Sequence, residues 1–176
     1  LADGRLLVFR DPRRFGFIRL VRGGELAGVA ELSGVGADPL EPFFTWERFA
    51  AALKGKAGAV KPLLVTQRVF AGIGNVYADE ILFHARVHPA RRAADLAPAE
   101  LKDLFHAVRG ILTAAIAHGG TSFDGAYTDL YGRPGRYGAR LKVYGRDGEP
   151  CAACHTPLRL ARSAGRSSVF CPRCQT

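Results

Sequence analysis

Methionine is absent from these 176 residues, tryptophan occurs once, and cysteine is confined to four positions. Acidic side chains are scarce beside basic ones, with 16 Asp and Glu facing 25 Lys and Arg for a formal net charge of +9. No apolar run approaches the roughly 18 residues of a membrane span, which argues against an integral membrane protein. No charged start followed by an apolar stretch opens the chain, so no export signal and a cytoplasmic location are expected. A hydrophobic content of 48% with 23% charged residues describes a globular protein rather than a disordered tail. The length suits one substantial core, or a small domain with a metal-stapled appendage.

The basic excess has a type and a place. Only Lys54, Lys56, Lys61, Lys102 and Lys142 are lysines, and every other basic residue is an arginine. Residues 131–176 hold Arg133, Arg136, Arg140, Lys142, Arg146, Arg159, Arg162, Arg166 and Arg173 against Asp147 and Glu149, a local charge of +7. Such a run can be no more than a solvated face. The planar fork of arginine is nevertheless the better phosphate ligand, so a polyanionic partner is favoured.

Hydrophobic periodicity changes along the chain. Asp3-Gly4 is a hairpin signal, and residues 5–10 and 15–21 read as strands, the second ending at Gly23-Gly24. A hairpin turn needs a strand before it, which two residues cannot supply. Together with the missing methionine, this leads us to expect that the natural protein continues upstream. The middle reads as helical: 46–53 with Thr45 as cap and Gly55 as stop, 61–66, and 76–85 capped by Asn75 with Tyr77, Ala78, Ile81, Leu82 and Ala85 as its buried stripe. His88-Pro89 ends that run. Pro98 then opens a longer helix whose Leu101, Leu104, Phe105, Val108, Leu112, Ala115 and Ile116 recur at helical spacing up to Gly119-Gly120. Residues 120–144 are glycine-rich and read as a long loop, a length that is usually functional or disordered.

The cysteines fall as Cys151-x2-Cys154, a gap of 16 residues, then Cys171-x2-Cys174. Each pair lets two thiolates reach one ion from a tight turn, and two such knuckles at the tips of a hairpin complete a tetrahedron. One structural Zn2+ is therefore expected, with all four positions filled by protein and His155 a turn residue. Between the knuckles, Arg166 follows flexible Gly165 beside Ser167 and Ser168. This can be a soluble hairpin tip or a finger aimed at phosphates. Gly72-Ile73-Gly74-Asn75 can be a tight interhelical turn or a phosphate seat built from backbone amides and Asn75. Asp11-Pro12-Arg13-Arg14-Phe15-Gly16 can be an exposed turn with Phe15 tucked into the core. It can also be a wedge, Phe15 stacking and Arg13 bonding where a base has been extruded.

Taken in order, Asp11 to Gly16, Lys61-Pro62-Leu63-Leu64, residues 67–82 (QRVFAGIGNVYADEIL), Gly119-Gly120-Thr121-Ser122, 143–154 and 165–175 resemble the bacterial formamidopyrimidine-DNA glycosylase family over nearly the whole chain. A related endonuclease branch shares the architecture, but Tyr77-Ala78-Asp79-Glu80 and Gly119-Gly120-Thr121-Ser122 are closer to the formamidopyrimidine branch. The resemblance implies an α+β fold with the end of an N-terminal β-sandwich at residues 1–40, a helix–two-turns–helix domain at 41–142, and a four-cysteine zinc-ribbon hairpin at 143–176. It also implies DNA base-excision repair by a bifunctional glycosylase/lyase, acting as a monomer on oxidised purines in damaged double-stranded DNA. In that family an N-terminal proline amine attacks the sugar, forms a Schiff base and leads to β,δ-elimination. Carried over residue by residue, Arg13 fills the void opposite the estranged base and Phe15 wedges the stack. Lys56 and Lys61 contact DNA or the flipped lesion, and Asn75 seats a flanking phosphate. Arg166 grips the same kink and donates the δ-elimination proton.

Two departures qualify the match. The family's opening Pro-Glu-Leu-Pro-Glu and a lysine on a following strand do not occur in this sequence, and Thr66 stands where the family usually has Asp before Gln67. The nucleophile, its acidic partner and the β-elimination lysine are thus missing from these residues, which by themselves are expected to bind DNA without excising a base. Two other readings are a non-catalytic reader of damaged DNA and an RNA-binding zinc ribbon. The latter leaves the wedge of Arg13 and Phe15 unexplained.

Overall fold

Apolar side chains at helical spacing organise most of this chain. The computed structural model describes every residue except 1, 10, 12, 13, 24, 26, 27, 124–126 and 164. It divides into two compact units, Leu1–Ser33 and Gly34–Thr176. The second unit holds helices α1 (Trp46–Leu53), α2 (Val60–Val65), α3 (Asn75–His84) and α4 (Pro98–Ala117), then an antiparallel hairpin of β1 (Arg159–Ser163) and β2 (Arg166–Phe170). Short 3-10 turns occupy Ala93–Asp95 and Tyr137–Arg140. None of the described helices is long and apolar enough to cross a membrane.

Local chemistry sets the helix ends. The Thr45 side chain accepts from the Arg48 N–H to open α1, and Gly55 with φ +70° follows its last turn. Pro98 begins α4 at a position where a missing N–H leaves nothing unpaired, and the Glu100 carboxylate accepts from the Ala97 N–H at 2.7 Å. At the far end Gly119 (φ +73°) and Gly120 (φ +82°) turn the chain, and the Gly120 N–H returns to the Ala115 carbonyl. Two details differ from the expectation. Ile116 is 67% exposed and Ile111 is buried, while Ala115 beside Ile116 stays buried, so the stripe on α4 includes 111 and leaves out 116. Asn75 is not a cap. It is the first residue of α3, and Gly74 in extended backbone takes the capping position without a side-chain hydrogen bond.

The core is aromatic at its centre. Phe49 stacks on Phe70 with centroids 5.1 Å apart, and Phe44, Trp46 and Phe105 surround the pair. The segment before α1 is drawn onto this core. The Arg109 guanidinium donates to the carbonyls of Pro39 and Phe44, and Gly36 lies so close to the Val69 carbonyl that a Cβ would not fit. A second, smaller core of Val143, Leu158, Val169, Cys151 and Cys171 packs against Phe83 of α3. The hairpin is thereby seated on the helices.

The first unit corrects a sequence expectation. The turns at Gly4 and after Asp11 are present, the latter closed by Arg14 and Gly16 N–H bonds to Asp11. No strand forms among the described residues of 5–10 and 15–21. Leu6, Val8, Ile18 and Leu20 are exposed. Alternating residues make a strand only when both a hydrogen-bonding neighbour and an apolar face to cover are present, and two short segments alone do not suffice.

Phe49→Ala removes a fully buried ring from the aromatic centre. It is expected to destabilise the helical unit by about 3–5 kcal/mol in denaturant titration. A loss below about 1 kcal/mol would show that the ring is not packed as described.

Candidate metal centre and nucleic-acid interface

The two knuckles bring Cys151, Cys154, Cys171 and Cys174 together with all Sγ atoms within 4.8 Å of one another. The Sγ of Cys151 lies 4.0 Å from that of Cys174, and Cys154 lies 3.4 Å from Cys171. Thiolates around a tetrahedral zinc sit about 3.8 Å apart for Zn–S bonds of about 2.3 Å, so the set fits one ion and leaves no position for a substrate. The Ala153 and Cys174 N–H groups donate to Cys151 and Cys171 Sγ, the charge-stabilising bonds a thiolate needs. The thiols respond oppositely to their crowding. Hydrogen bonds from Thr156 hold the Cys154 thiol down to about 6, whereas the adjoining Cys154 sulfur and burial push Cys174 up to about 12. A divalent cation at the centre removes that mutual repulsion. His155 has φ +60° and its N–H donates to the Cys151 carbonyl, so it is a turn residue.

The second knuckle is tied to the helices by Gln175. Its Oε1 accepts from the Cys171 N–H at 2.8 Å, and its Nε2 donates to the Val87 carbonyl at 2.9 Å. Along the hairpin the connection is ionic. Lys61 of α2 is buried, and its ammonium lies 2.7 Å from Asp79 of α3 and donates to the Ser167 carbonyl of β2. Asp79 also accepts from the Val169 N–H at 3.1 Å. Burial pushes the Lys61 ammonium below its usual range and the Asp79 carboxyl above its own, and their pairing opposes both shifts.

Arg166 opens β2 and is exposed, immediately after Gly165 with φ +74°. With Lys61 it lines a small cavity whose other walls include Pro62, His88, Pro89 and Ser168. Two basic residues 105 positions apart are thus neighbours. Burial lowers the pKa of His88, whose ring packs edge-on against Phe170.

Asn75 begins a helix whose first-turn amides have no side-chain cap, and its Oδ1 is buried without a hydrogen-bond partner among the described residues. The turn before it is held by Gln67, which donates to the Val65 and Ile73 carbonyls and accepts from the Gly72 N–H. Thr66 bonds back to the Pro62 carbonyl, so its presence leaves that turn intact. Lys56 is exposed on the turn after α1 and does not line the cavity shared by Lys61 and Arg166. Phe15 is 84% exposed rather than tucked into a core. Arg13 lies outside the described residues.

The long glycine-rich segment is more ordered in its bonding than its composition suggests. Thr121 pairs with Arg136 as an isolated bridge, Ser122 bonds to Tyr127 and Gly135, and Tyr77 reaches the Thr121 hydroxyl at 3.2 Å. Its exposed tip carries Tyr127, Leu130 and Tyr131, with the Arg133 guanidinium 5.1 Å above the Tyr131 ring.

Periodicity did not reveal Asp79 or Glu80. The Glu80 carboxylate is buried and accepts from the N–H groups of Lys142, Val143 and Tyr144, fixing the entry to the hairpin. A signal existed. Residues 76–83 contain no other charged side chain, and a helix that is apolar on every face is buried on every face.

Residues 35–125 match the family described as formamidopyrimidine-DNA glycosylase H2TH domain, and residues 148–176 match the zinc finger found in FPG and IleRS. The formamidopyrimidine-DNA glycosylase of Thermus thermophilus is 43% identical over 176 residues, 99% of this chain and 66% of that protein. The corresponding protein of Listeria innocua is 40% identical over 98% of this chain and 63% of its own length. The chain therefore spans just under two thirds of these relatives. The crystal structure of the MutM (Fpg) protein from Thermus thermophilus superposes with a TM-score of 0.86 over 94% of this chain and 62% of that one, at 43% identity. Lactococcus lactis Fpg, in a complex with abasic-site DNA, superposes with a TM-score of 0.81 at 31% identity, over 89% of this chain and 57% of that one.

One structural zinc per chain follows from the donor set and the finger family. Elemental analysis of protein purified without chelator is expected to return about one zinc, and Cys171→Ser to lose it together with the hairpin's order. Undiminished zinc in Cys171→Ser would remove that cysteine from the site.

Proposed function

This chain belongs to the formamidopyrimidine-DNA glycosylase family, and from that premise we propose that its helices and finger grip damaged double-stranded DNA during base-excision repair. The reaction served is a glycosylase/lyase cycle on oxidised purines ending in β,δ-elimination. The observation that carries this reading is the meeting of Lys61 and Arg166 at one cavity beside the zinc-stapled hairpin. The abasic-site DNA bound by the Lactococcus lactis relative supports the same partner here.

Each element contributes a distinct contact. Arg166, exposed at the start of β2, reaches a phosphate at the kinked backbone with its planar fork, and by the family resemblance takes the role of proton donor in δ-elimination. The Lys61 ammonium donates to the Ser167 carbonyl, is paired with Asp79, and lines the cavity where a ligand would meet it. Asn75 and the uncapped first turn of α3 seat a second phosphate, because free amides and the helix dipole both favour an anion there. Lys56 adds a peripheral backbone contact. Phe15 wedges the base stack, and Arg13 fills the void left by the extruded base. Zinc takes no part in the chemistry. Bound, it supplies the cross-link that holds the strand carrying Arg166.

If these contacts are to phosphates, affinity for an abasic-site duplex should fall steeply with salt. The log–log slope is about −0.9 for each phosphate neutralised. Arg166→Ala is expected to weaken binding about tenfold and to shrink the slope by about one contact. A slope unchanged by that substitution would falsify the Arg166 contact.

Chemistry is a separate test. A polypeptide of these 176 residues is expected to form no borohydride-trapped adduct with abasic-site DNA, because it carries no N-terminal proline amine to form the imine that borohydride reduces. Efficient trapping would place a nucleophilic amine within these residues and overturn that part of the proposal.

A further inference from the structure

The hairpin presents an edge that the helices complete. Strand β2 pairs on one side with β1 in the register Ser163↔Arg166, Arg162↔Ser167, Ala161↔Ser168 and Leu160↔Val169. Backbone groups alternate between the two edges of a strand, so Ser167 and Val169, two residues apart, address the same edge. At Ser167 the carbonyl accepts from the Lys61 ammonium, and at Val169 the N–H donates to the Asp79 carboxylate. Lys61 and Asp79, paired at 2.7 Å with side chains only 4% and 1% exposed, therefore stand where a third strand would stand.

Stability alone is a poor account of that arrangement. Taking both charges out of water offsets much of their attraction, and apolar pairs of similar volume often hold a protein together as well or better. Directional bonds do something apolar contact cannot. A hairpin of two five-residue strands is free to slip, and slipping by one residue would turn the groups at 167 and 169 away from their partners and leave a carboxylate and an ammonium buried unpaired. The peg nearer the hairpin tip is at Ser167, adjacent to Arg166.

We infer that Asp79 is a positioning residue for Arg166: acting with Lys61, it pegs the outer edge of β2 and so sets where the exposed guanidinium meets DNA. This rests on the reading of Arg166 as a phosphate contact. Asp79 itself touches no DNA.

A double-mutant cycle on the whole chain tests it, read by anisotropy titration of a duplex carrying a tetrahydrofuran abasic-site analogue. Asp79→Asn can still accept from the Val169 N–H but cannot hold the ammonium. It is expected to keep its zinc, to weaken binding nearly as much as Arg166→Ala, and to lose the same single contact from the salt slope. Adding Arg166→Ala to Asp79→Asn is expected to change affinity less than twofold, since the arginine is already misplaced. Where Asp79→Asn loses its zinc or its cooperative melt, the cycle moves to Lys61→Met/Asp79→Leu, an apolar pair suited to keeping the fold. Any direct contribution of Lys61 is then missing from both arms, and Arg166→Ala is again expected to add almost nothing. If Arg166→Ala costs its full wild-type factor in the Asp79-substituted background used, Asp79 is structural glue and the inference is overturned. If Arg166→Ala has no effect even in the wild-type chain, the phosphate-contact reading fails and the inference falls with it. The two failures are thereby distinguishable.

Discussion

A carboxylate shut away from water needs donors or a cation, and α3 buries two in succession. Asp79 and Glu80 are neighbours on a helix, so their side chains leave its axis about 100° apart and address different parts of the molecule. Asp79 meets Lys61 of α2 and the edge of β2, while Glu80 gathers three amides at residues 142–144. A single helical step thus joins the helical region to the hairpin at two places. Neither carboxylate is satisfied by α3 itself, because the amides beside residues 79 and 80 are already used in the helical ladder. That necessity draws residues from three distant segments together.

The hairpin is too small to hold its own shape. Two strands of five residues bury little, and their small core of Val143, Leu158 and Val169 finds its apolar cover on Phe83 of α3. Three constraints make up the difference: the four-thiolate centre at the knuckles, Gln175 bridging the second knuckle to Val87, and the Lys61–Asp79 pair along β2. The first two act at the knuckle end of the hairpin, and the third reaches Ser167, next to Arg166. Arg166 is therefore carried on a supported strand while remaining exposed, the combination that a positioned contact to a mobile polyanion requires.

The basic excess of residues 131–176 takes on meaning from this geometry. Many of its arginines are solvated, and in the proposed contact with DNA they contribute long-range attraction, which raises encounter rates without choosing a register. Register comes from the few groups whose positions are determined by buried neighbours. In the proposed contact with DNA, Arg166 is one, through the peg beside it. Asn75 is another, through the Gln67-braced turn and the close packing at the start of α3. The aromatic tip of the 120–144 segment is anchored at its base by Thr121, Ser122 and Gly135, so its exposed rings project from a braced stem.

Properties that depend on neighbours along the chain could be read from the amino-acid sequence. These include the helices and their ends at Thr45, Gly55, Pro98 and Gly119-Gly120, the zinc set from two Cys-x2-Cys pairs, and His155 as a turn residue. Spacing alone enforces each of them. The family resemblance added Arg166 and Asn75 as contacts, but not what holds them. Contact partners decided the rest. Residues 5–10 and 15–21 alternate as strands should, yet no strand forms among their described residues, because a strand exists only through a neighbour. The burial of Lys61 was not legible, since its environment comes from Asp79 and Ser167, 18 and 106 residues away. The partners of Asp79 and Glu80 emerged only with α3 enclosed by its neighbours. Periodicity records which face of an element is apolar, but the partner of a buried charge is chosen by packing in three dimensions.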